Sequence, residues 1–288
     1  MSKLRATLYL CLFALIGLAW FFLQDSDAQK SLKLTAAKAA DGRIVIAHLS
    51  DTHLGLGRAP GTEERMKKAI DMINRLEPDA VIVTGDVGER RENSVAAKNL
   101  LNRLNAKYYV VPGNHDVHDD DMGRHQGVFG DDYYTFEIGR FRFIALNSQL
   151  MGNYDNYEAK SPVDLSERGQ QQSRRMFQWL SEIDDDDRVT VAMQHIPLAR
   201  AGDFPKDPRP YWTVHPKYRE RVVDQFKRLG VKHLFVGHWH RGMDFSVEGI
   251  ENHVAPATSW SPFNAPLGFA VHTIDRNGNV STEYKTIE

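Results

Sequence analysis

Residues 43–53 read RIVIAHLSDTH, and residues 79–86 read DAVIVTGD. Each stretch is a short apolar run typical of a strand, and each ends in side chains that can bind a metal ion. Between them, residues 63–76 place apolar side chains on one face of a helix. A strand, a crossover helix and a second strand in this order are the repeating unit of an α/β fold.

Three further apolar runs end in the same way. They read YYVVPGNHD at 108–116, VTVAMQHIP at 189–197 and HLFVGHWH at 233–240. Helical patterns at 95–104, around 176–180 and from Pro216 to Gly230 precede them in turn, and FRFIALNS at 141–148 predicts another strand. After Arg241 the pattern predicts strands and turns, with a hairpin at Asn277-Gly278.

The polar residues at the ends of these runs are Asp51, His53, Asp86, Asn114, His115, His195, His238 and His240. Because ligands of an open α/β sheet bind outside the carboxyl ends of its strands, these residues are predicted to converge on one site. The spacing of two in Asp51/His53 and in His238/His240 predicts that each pair faces one side of an extended chain and reaches one centre. A lone histidine is more often a core residue, but five such strand ends together predict a metal site.

This series of motifs resembles that of the calcineurin-like metallophosphoesterases, which runs D-x-H, G-D, G-N-H-D or G-N-H-E, H and G-H-x-H. All the motifs are present in order, and the resemblance spans residues 43–284. Further similarity, in LNSQ at 146–149, QHIPL at 194–198 and YWTVHPKYRE at 211–220, is to the subfamily that includes serine/threonine phosphatases. The resemblance implies an α/β fold of four layers, an αββα sandwich.

The resemblance also implies a role for each residue of the motifs. Asp51, His53 and His240 are implied to bind one metal ion, Asn114, His195 and His238 a second ion, and Asp86 both. Two such ions convert a bridging water to hydroxide, which attacks the phosphate ester. His115 is implied to protonate the leaving group instead of binding metal. Nitrogen and oxygen ligands without thiolate suit Mn, Fe or Zn.

One motif departs from the phosphoprotein phosphatase pattern G-D-x-x-D-R-G, because residues 85–91 read GDVGERR. Glu89 is a candidate to orient His115, and Arg90 is a candidate to hold phosphate; the alternative is a solvated charged loop. Trp239 either forms a wall of the pocket or packs outside it. The segments 151–165 and 200–216, which include Pro and aromatic residues, are predicted to shape the pocket rim.

The N-terminus carries an uncharged stretch, ATLYLCLFALIGLAWFFL at residues 6–23, preceded by Lys3 and Arg5. We expect residues 1–24 to be a transmembrane anchor or signal segment, 25–42 a polar tether and 43–288 the metallophosphoesterase domain. Basic residues before the stretch predict an extracytoplasmic catalytic domain. The alternative is a signal cleaved near residues 26–28, which gives a secreted or periplasmic protein.

Composition narrows the classes of function. The chain of 288 residues is 42% hydrophobic and 26% charged, with a formal net charge of −2, which disfavours nucleic acid as substrate. Cys11, its only cysteine, lies in the N-terminal stretch, so the domain has no thiolate ligand or disulfide. A phosphomonoesterase is the leading hypothesis. A phosphodiesterase, including one for cyclic nucleotides, is the main alternative, and a metal-binding scaffold without activity is the remote one. The oligomeric state is left open.

Overall fold

The computed structural model describes residues 42–117 and 121–287. The N-terminal stretch predicted to reach a membrane lies outside these residues, as does the predicted tether up to residue 41. In the part of the chain that is described, none of the helices has the length and apolar character needed to cross a membrane.

From residue 44 to residue 236, strands and helices alternate except at one hairpin (134–145), and strands form the rest of the described chain. The strands are β1 (Ile44–Leu49), β2 (Ala80–Thr84), β3 (Tyr108–Val111), β4 (Tyr134–Ile138), β5 (Phe141–Ala145), β6 (Thr190–Met193), β7 (His233–Val236), β8 (Met243–Val247), β9 (Ile250–Val254), β10 (Gly268–Ile274) and β11 (Val280–Thr286). The helices are α1 (Thr62–Leu76), α2 (Arg91–Leu101), α3 (Gly123–Phe129), α4 (Glu167–Glu182) and α5 (Pro216–Arg228), with 3-10 turns at Ser148–Leu150 and Pro210–Trp212.

The strands form two mixed sheets. The first has the order β11-β10-β1-β2-β3, in which β1, β2 and β3 run parallel and β10 and β11 are antiparallel to their neighbours. The second has the order β4-β5-β6-β7-β9-β8, with β5, β6, β7 and β9 parallel and an antiparallel strand at each edge. Parallel neighbours are joined by crossover helices, as the alternating pattern predicted, except that β7 and β9 are joined through β8.

Alternate residues of each strand enter different cores, because successive side chains of a strand point to opposite faces. In β2, Val81 and Val83 pack with Met66 and Ile70 of α1, whereas Ile82 belongs to the core between the sheets. A third core covers the other face of the second sheet and includes Phe177 of α4, Phe226 of α5, Ala192 and Leu234. The three cores separate four layers in the order helix, sheet, sheet, helix.

Some elements differ from the sequence-based expectation. Helix α2 begins at Arg91 and ends at Leu101, earlier at both ends than the predicted 95–104. Helix α3 and strand β4 were not predicted: α3 has seven residues, and β4 lies at the edge of its sheet with exposed residues between buried ones. Short elements of this kind carry too few turns or alternations to show a period.

Candidate metal centre

The predicted site residues come from strand ends in both sheets. Asp51, Asp86 and Asn114 follow β1, β2 and β3 of the first sheet, whereas His195 and His238 follow β6 and β7 of the second. The expectation that they lie along the edge of one open sheet is therefore replaced by a site where the carboxyl ends of two packed sheets meet.

One group of donor atoms forms around Asp51. Ligand atoms of Asp51, His53, Asp86 and His240 all lie within 4.8 Å of one another, and all four residues are buried. Asp51 Oδ1 is 3.0 Å from His240 Nε2, and the Nε2 atoms of His53 and His240 are 3.2 Å apart. Asp51 Oδ1 is buried and has no hydrogen-bond donor among the described residues. A buried carboxylate oxygen that accepts no hydrogen bond is a candidate ligand for a cation.

A second group shares Asp86 with the first. It contains Asp86, His195 and His238 within the same 4.8 Å limit. His195 Nε2 lies 3.3 Å from Asp86 Oδ2 and 3.2 Å from Asn114 Oδ1. Because Asp86 Oδ2 is also 3.5 Å from His53 Nε2, its carboxylate stands between the two groups.

The histidines are oriented by acceptors behind them. His53 Nδ1 is 2.7 Å from Glu89 Oε1, His195 Nδ1 is 2.5 Å from Thr84 O, His238 Nε2 is 2.9 Å from Tyr211 O, and His240 Nδ1 is 2.6 Å from Trp260 O. Carbonyl and carboxylate oxygens only accept, so each of these ring nitrogens carries a hydrogen. In the neutral ring the other nitrogen then presents its lone pair to the centre, as metal-binding histidines do.

The electrostatics of the centre favour a bound cation. Burial by itself lowers the pKa of His195, but Asp86 and Asp51 outweigh burial and raise that pKa to about 9. Burial raises the pKa of Asp86, yet the neighbouring His195 and His115 hold it well below its usual value. Paired carboxylates and convergent lone pairs thus attract positive charge, and the nitrogen and oxygen donors fit two metal ions. The donor set does not identify the metal.

The backbone at the site is in the left-handed region, which side chains other than glycine rarely adopt. The φ values are 53° at Asp51, 43° at His53, 52° at Asp86, 68° at His238 and 50° at His240. The chain is therefore not extended there. The expectation from their spacing that His238 and His240 reach one centre is wrong, because they belong to different groups, whereas the family resemblance had implied a different ion for each. Backbone strain of this kind concentrates at functional sites.

Two glycines allow the loops to approach this closely. A Cβ atom on Gly113 would collide with the carboxylate and backbone of Asp86, and one on Gly237 would collide with the Ser50 hydroxyl. A side chain at Gly113 would push the end of β3 away from that of β2, and a side chain at Gly237 would push the end of β7 away from that of β1.

His115 is held beside the centre without joining the two groups. Its backbone N–H donates to Asp86 Oδ1 at 2.8 Å, and its Nδ1 lies 3.0 Å from Glu89 Oε2. Glu89 thereby contacts both His115 and His53. Arg90, the other candidate in this loop, is exposed at the N-terminus of α2 and is not among the residues that line the pocket.

Asp116, the last residue of the G-N-H-D motif, has a structural contact. Its buried carboxylate accepts from Val87 N at 3.0 Å and from Gly113 N at 2.9 Å. Burial and the nearby Asp86 raise its pKa to about 6, although these hydrogen bonds oppose the rise. Asp116 therefore ties the loop after β2 to the loop after β3.

The two donor groups border a pocket of about 460 Å³, which His53, Asp86, Asn114, His238 and His240 help to line. Its walls are mainly aromatic: Tyr154, Tyr157, Tyr211, Trp212 and Trp260. The first four belong to the two segments predicted to shape the rim, whereas Trp260, Pro262 and Arg58 were not predicted. Trp239 packs outside the pocket, where it stacks on Phe245 and donates to Trp212 O at 2.8 Å.

Hydroxyl groups behind Asp51 were also missed. Ser50 Oγ donates to Asp51 Oδ2 at 2.6 Å, Thr84 Oγ1 donates to Ser50 Oγ at 2.9 Å, and His48 Nε2 is 2.8 Å from Thr84 Oγ1. This chain of hydrogen bonds occupies Oδ2 and leaves Oδ1 for a cation. The position of Ser50 directly before the D-x-H motif, and of Thr84 directly before the G-D motif, is the sequence signal that could have indicated these hydroxyl groups.

Comparison with known proteins agrees with this geometry. The family model for calcineurin-like phosphoesterases matches residues 44–242, which confirms the resemblance found in the sequence. The chain is 26% identical over 299 residues to the serine/threonine-protein phosphatase CPPED1 of Danio rerio, covering 93% of each protein. It is 21% identical over 245 residues to a probable cyclic nucleotide phosphodiesterase of Vesicomyosocius okutanii, covering 83% of this chain and 95% of that one.

A similar fold occurs in a solved structure. A dimetal phosphatase from Danio rerio superimposes with a TM-score of 0.59 at 16% identity, over 85% of this chain and 96% of that one. At this identity the likeness concerns the fold alone.

Proposed function

Because this chain belongs to the calcineurin-like phosphoesterase family, we propose that it is a metal-dependent phosphomonoesterase. The coarser statement, that it is a metallophosphoesterase, follows from the family. The preference for monoesters and the roles of individual residues are the proposal.

The observation that carries the proposal is the complete pair of donor groups that share Asp86. Each of the four histidines in these groups donates one ring N–H to an acceptor and directs its other ring nitrogen to the centre. They are His53, His195, His238 and His240. We assign Asp51, His53 and His240 to one ion, Asn114, His195 and His238 to the other, and Asp86 to both. Two bound cations supply the acidified water and the charge neutralisation that ester hydrolysis needs.

His115 is proposed as the group that protonates the leaving oxygen. Glu89 holds Nδ1, so Nε2 is the nitrogen available to a substrate. Burial lowers the pKa of His115, but Asp86 and Glu89 outweigh burial and raise it to about 9. Bound cations offset the charge of Asp86 and so oppose part of this rise, whereas Glu89 still stabilises the imidazolium. His115 is thus a proton donor at neutral pH.

Two features support a monoester over a diester. The relative named as a phosphatase is 26% identical across most of the chain, compared with 21% for the one named as a probable cyclic nucleotide phosphodiesterase. In addition, Arg58 and His115 both line the pocket. Cationic groups there favour the dianionic phosphate of a monoester over the monoanionic phosphate of a diester.

The test is hydrolysis of p-nitrophenyl phosphate and of bis-p-nitrophenyl phosphate by the full chain, with bound metals quantified. We expect kcat/KM at least about tenfold higher for the monoester, dependent on added Mn, Fe or Zn and abolished in Asp51→Asn. A reversed preference would make the protein a phosphodiesterase. Protein that binds no metal and cleaves neither ester would disprove the proposal as a whole.

We also propose that residues 6–23 anchor the protein in a membrane with the catalytic domain outside the cytoplasm. The support is the uncharged stretch after Lys3 and Arg5 alone. Membrane fractionation and protease accessibility of the full chain test this: protein that is found in the soluble cytoplasmic fraction would contradict it.

A further inference from the structure

A second pocket lies beside the catalytic pocket. It has a volume of about 350 Å³, and Arg58 and Trp260 line both pockets. The guanidinium of Arg58 stacks over the Trp260 ring at 4.4 Å from its centroid. This stacked pair is therefore the wall between the metal centre and the second pocket.

Two arginines, Arg58 and Arg65, line the second pocket. Arg65, on the first turn of α1, donates through Nη2 to Pro60 O at 2.8 Å. Its Nε is buried and has no hydrogen-bond acceptor within the described residues. Across residues 42–117 and 121–287, no ion pair involves Arg58 or Arg65, and no residue that lines this pocket is acidic. Two cations that face one cavity attract an anion.

A neutral donor completes the pocket. Ser261 Oγ accepts from Phe263 N at 3.2 Å and from Ala265 N at 3.3 Å. Because both contacts use the oxygen as acceptor, its own hydrogen remains to be donated to a ligand.

The part of the catalytic pocket lined by Tyr157 has a different charge balance. Arg209 stacks on Tyr157, but it is paired with Asp207 at 2.7 Å and with Glu158 at 2.8 Å. Asp155 also lines the catalytic pocket. A substrate that extends from the metal centre with an anionic group is therefore directed toward Arg58 and Arg65.

We infer that the second pocket binds an anionic group, a phosphate or a carboxylate, carried by the leaving group of the substrate. The inference rests on the proposed phosphomonoesterase function. It identifies the substrates as phosphate esters with two anionic groups: one is hydrolysed at the metal centre, and the other is held beyond the Arg58–Trp260 wall.

The test compares kcat/KM for pairs of compounds with equal chain length. Butyl and hexyl phosphate carry one anion, butanediol and hexanediol bisphosphate carry two, and phosphohexanoate replaces the second phosphate with a carboxylate. We expect kcat/KM for at least one compound with an anionic group at both ends to exceed that of its alkyl partner by about tenfold. This factor is the effect of one charge-assisted hydrogen bond. The two spacer lengths allow for the distance between the pockets.

Variants then assign the preference to the pocket. Arg65→Gln should reduce the ratio to about twofold or less, the statistical factor for two equivalent phosphates, and Arg65→Lys should retain part of it. Arg75→Gln, an exposed position near the other end of α1, is the matched control and should keep the wild-type ratio. Metal content and thermal unfolding check that each variant is folded.

Equal kcat/KM for alkyl phosphates and bisphosphates in the wild type would overturn the inference, as would a preference that survives in Arg65→Gln. If the wild type cleaves no ester at all, the proposed function fails. Calorimetric binding of the same compounds then tests separately whether the second pocket binds an anionic group. A binding preference for the bisphosphate that Arg65→Gln removes supports the pocket, and equal binding rejects it.

Discussion

Two groups of histidines, all buried except the half-buried His233, lie close together in this protein and differ in chemistry. The metal centre directs free nitrogens of His53, His195, His238 and His240 toward Asp51 and Asp86. The second group, here called the inner histidine cluster, consists of His48, His233, His253 and His272. Its members bond to one another: His48 Nδ1 is 3.0 Å from His272 Nε2, and His233 Nδ1 is 3.0 Å from His253 Nε2.

A comparison of His48 with His195 shows how neighbouring carboxylates change the charge of a fully buried histidine. Burial and the nearby His253 lower the pKa of His48 to about 3, so that ring stays neutral. The equally buried His195 has its pKa raised to about 9, because Asp86 and Asp51 outweigh burial. Within the described residues, no ion pair involves the His48–His272 pair, and its two rings satisfy each other, whereas the histidines around Asp51 and Asp86 favour a bound cation.

Removing the shared carboxylate should have the largest effect. In Asp86→Asn, both donor groups lose their common anion, so we expect loss of bound metal and a fall in kcat/KM of more than about a thousandfold. Asp244→Asn is the matched control, because Asp244 contacts His253 of the inner histidine cluster at 2.9 Å. Elemental analysis and ester hydrolysis measure both variants. Similar metal loss in Asp244→Asn would contradict the claim that metal binding depends on Asp86 and not on the inner histidine cluster.

His115 lies beside the metal centre, and its replacement should separate proton donation from metal binding. We expect His115→Asn to keep its metals and to lose about 10²–10⁴ in kcat on alkyl phosphates. The loss should be smaller on p-nitrophenyl phosphate, because nitrophenolate leaves without a proton. A uniform loss on both substrates, or the departure of both metals, would remove His115 from the role of acid.

Glu89 contacts His53 and His115, so its replacement should have an intermediate effect. We expect Glu89→Gln to lower activity or metal affinity by about 10–100-fold. Because Glu89 helps to raise the pKa of His115, its loss should also move the basic limb of the kcat profile to lower pH. A rate profile measured from acid to alkaline pH shows the shift; an unmoved basic limb would leave Glu89 as an orienting group only.

The amino-acid sequence predicts the metal centre far better than the inner histidine cluster. Asp51 and Asp86 follow apolar runs directly, so strand pattern and chemistry point to the same place. His48 lies inside such a run, and its partner His272 is 224 positions away, so no local pattern shows the pairing. The left-handed backbone at His238 and His240 has no signal in the sequence, so their spacing of two wrongly predicted an extended chain with both side chains on one side, whereas the family resemblance had implied a different ion for each. Arg58 and Trp260 come from loops whose path a periodic pattern does not describe.

The smallest of the expected effects concerns the inner histidine cluster and the pH dependence of the free energy of unfolding. The pKa of His272 lies well below its ordinary value of 6.5, because burial and His48 oppose its charge. The unfolded chain therefore binds a proton that the folded chain does not. The contribution of His272 to stability is complete above pH 6.5 and is lost as the pH falls below that value.

Replacing this ring with a side chain that does not titrate isolates that contribution. His272→Gln should be less stable than wild type above neutral pH, since the amide replaces the ring imperfectly. Its stability should then fall less steeply between about pH 7.5 and about pH 5.5, by up to about 1.4 kcal/mol per pH unit below the unfolded pKa. Urea unfolding of both proteins in chelator measures the slopes without a contribution from metal release. Parallel slopes would mean that His272 is protonated in the folded protein, and the contrast with His195 would then rest on geometry alone.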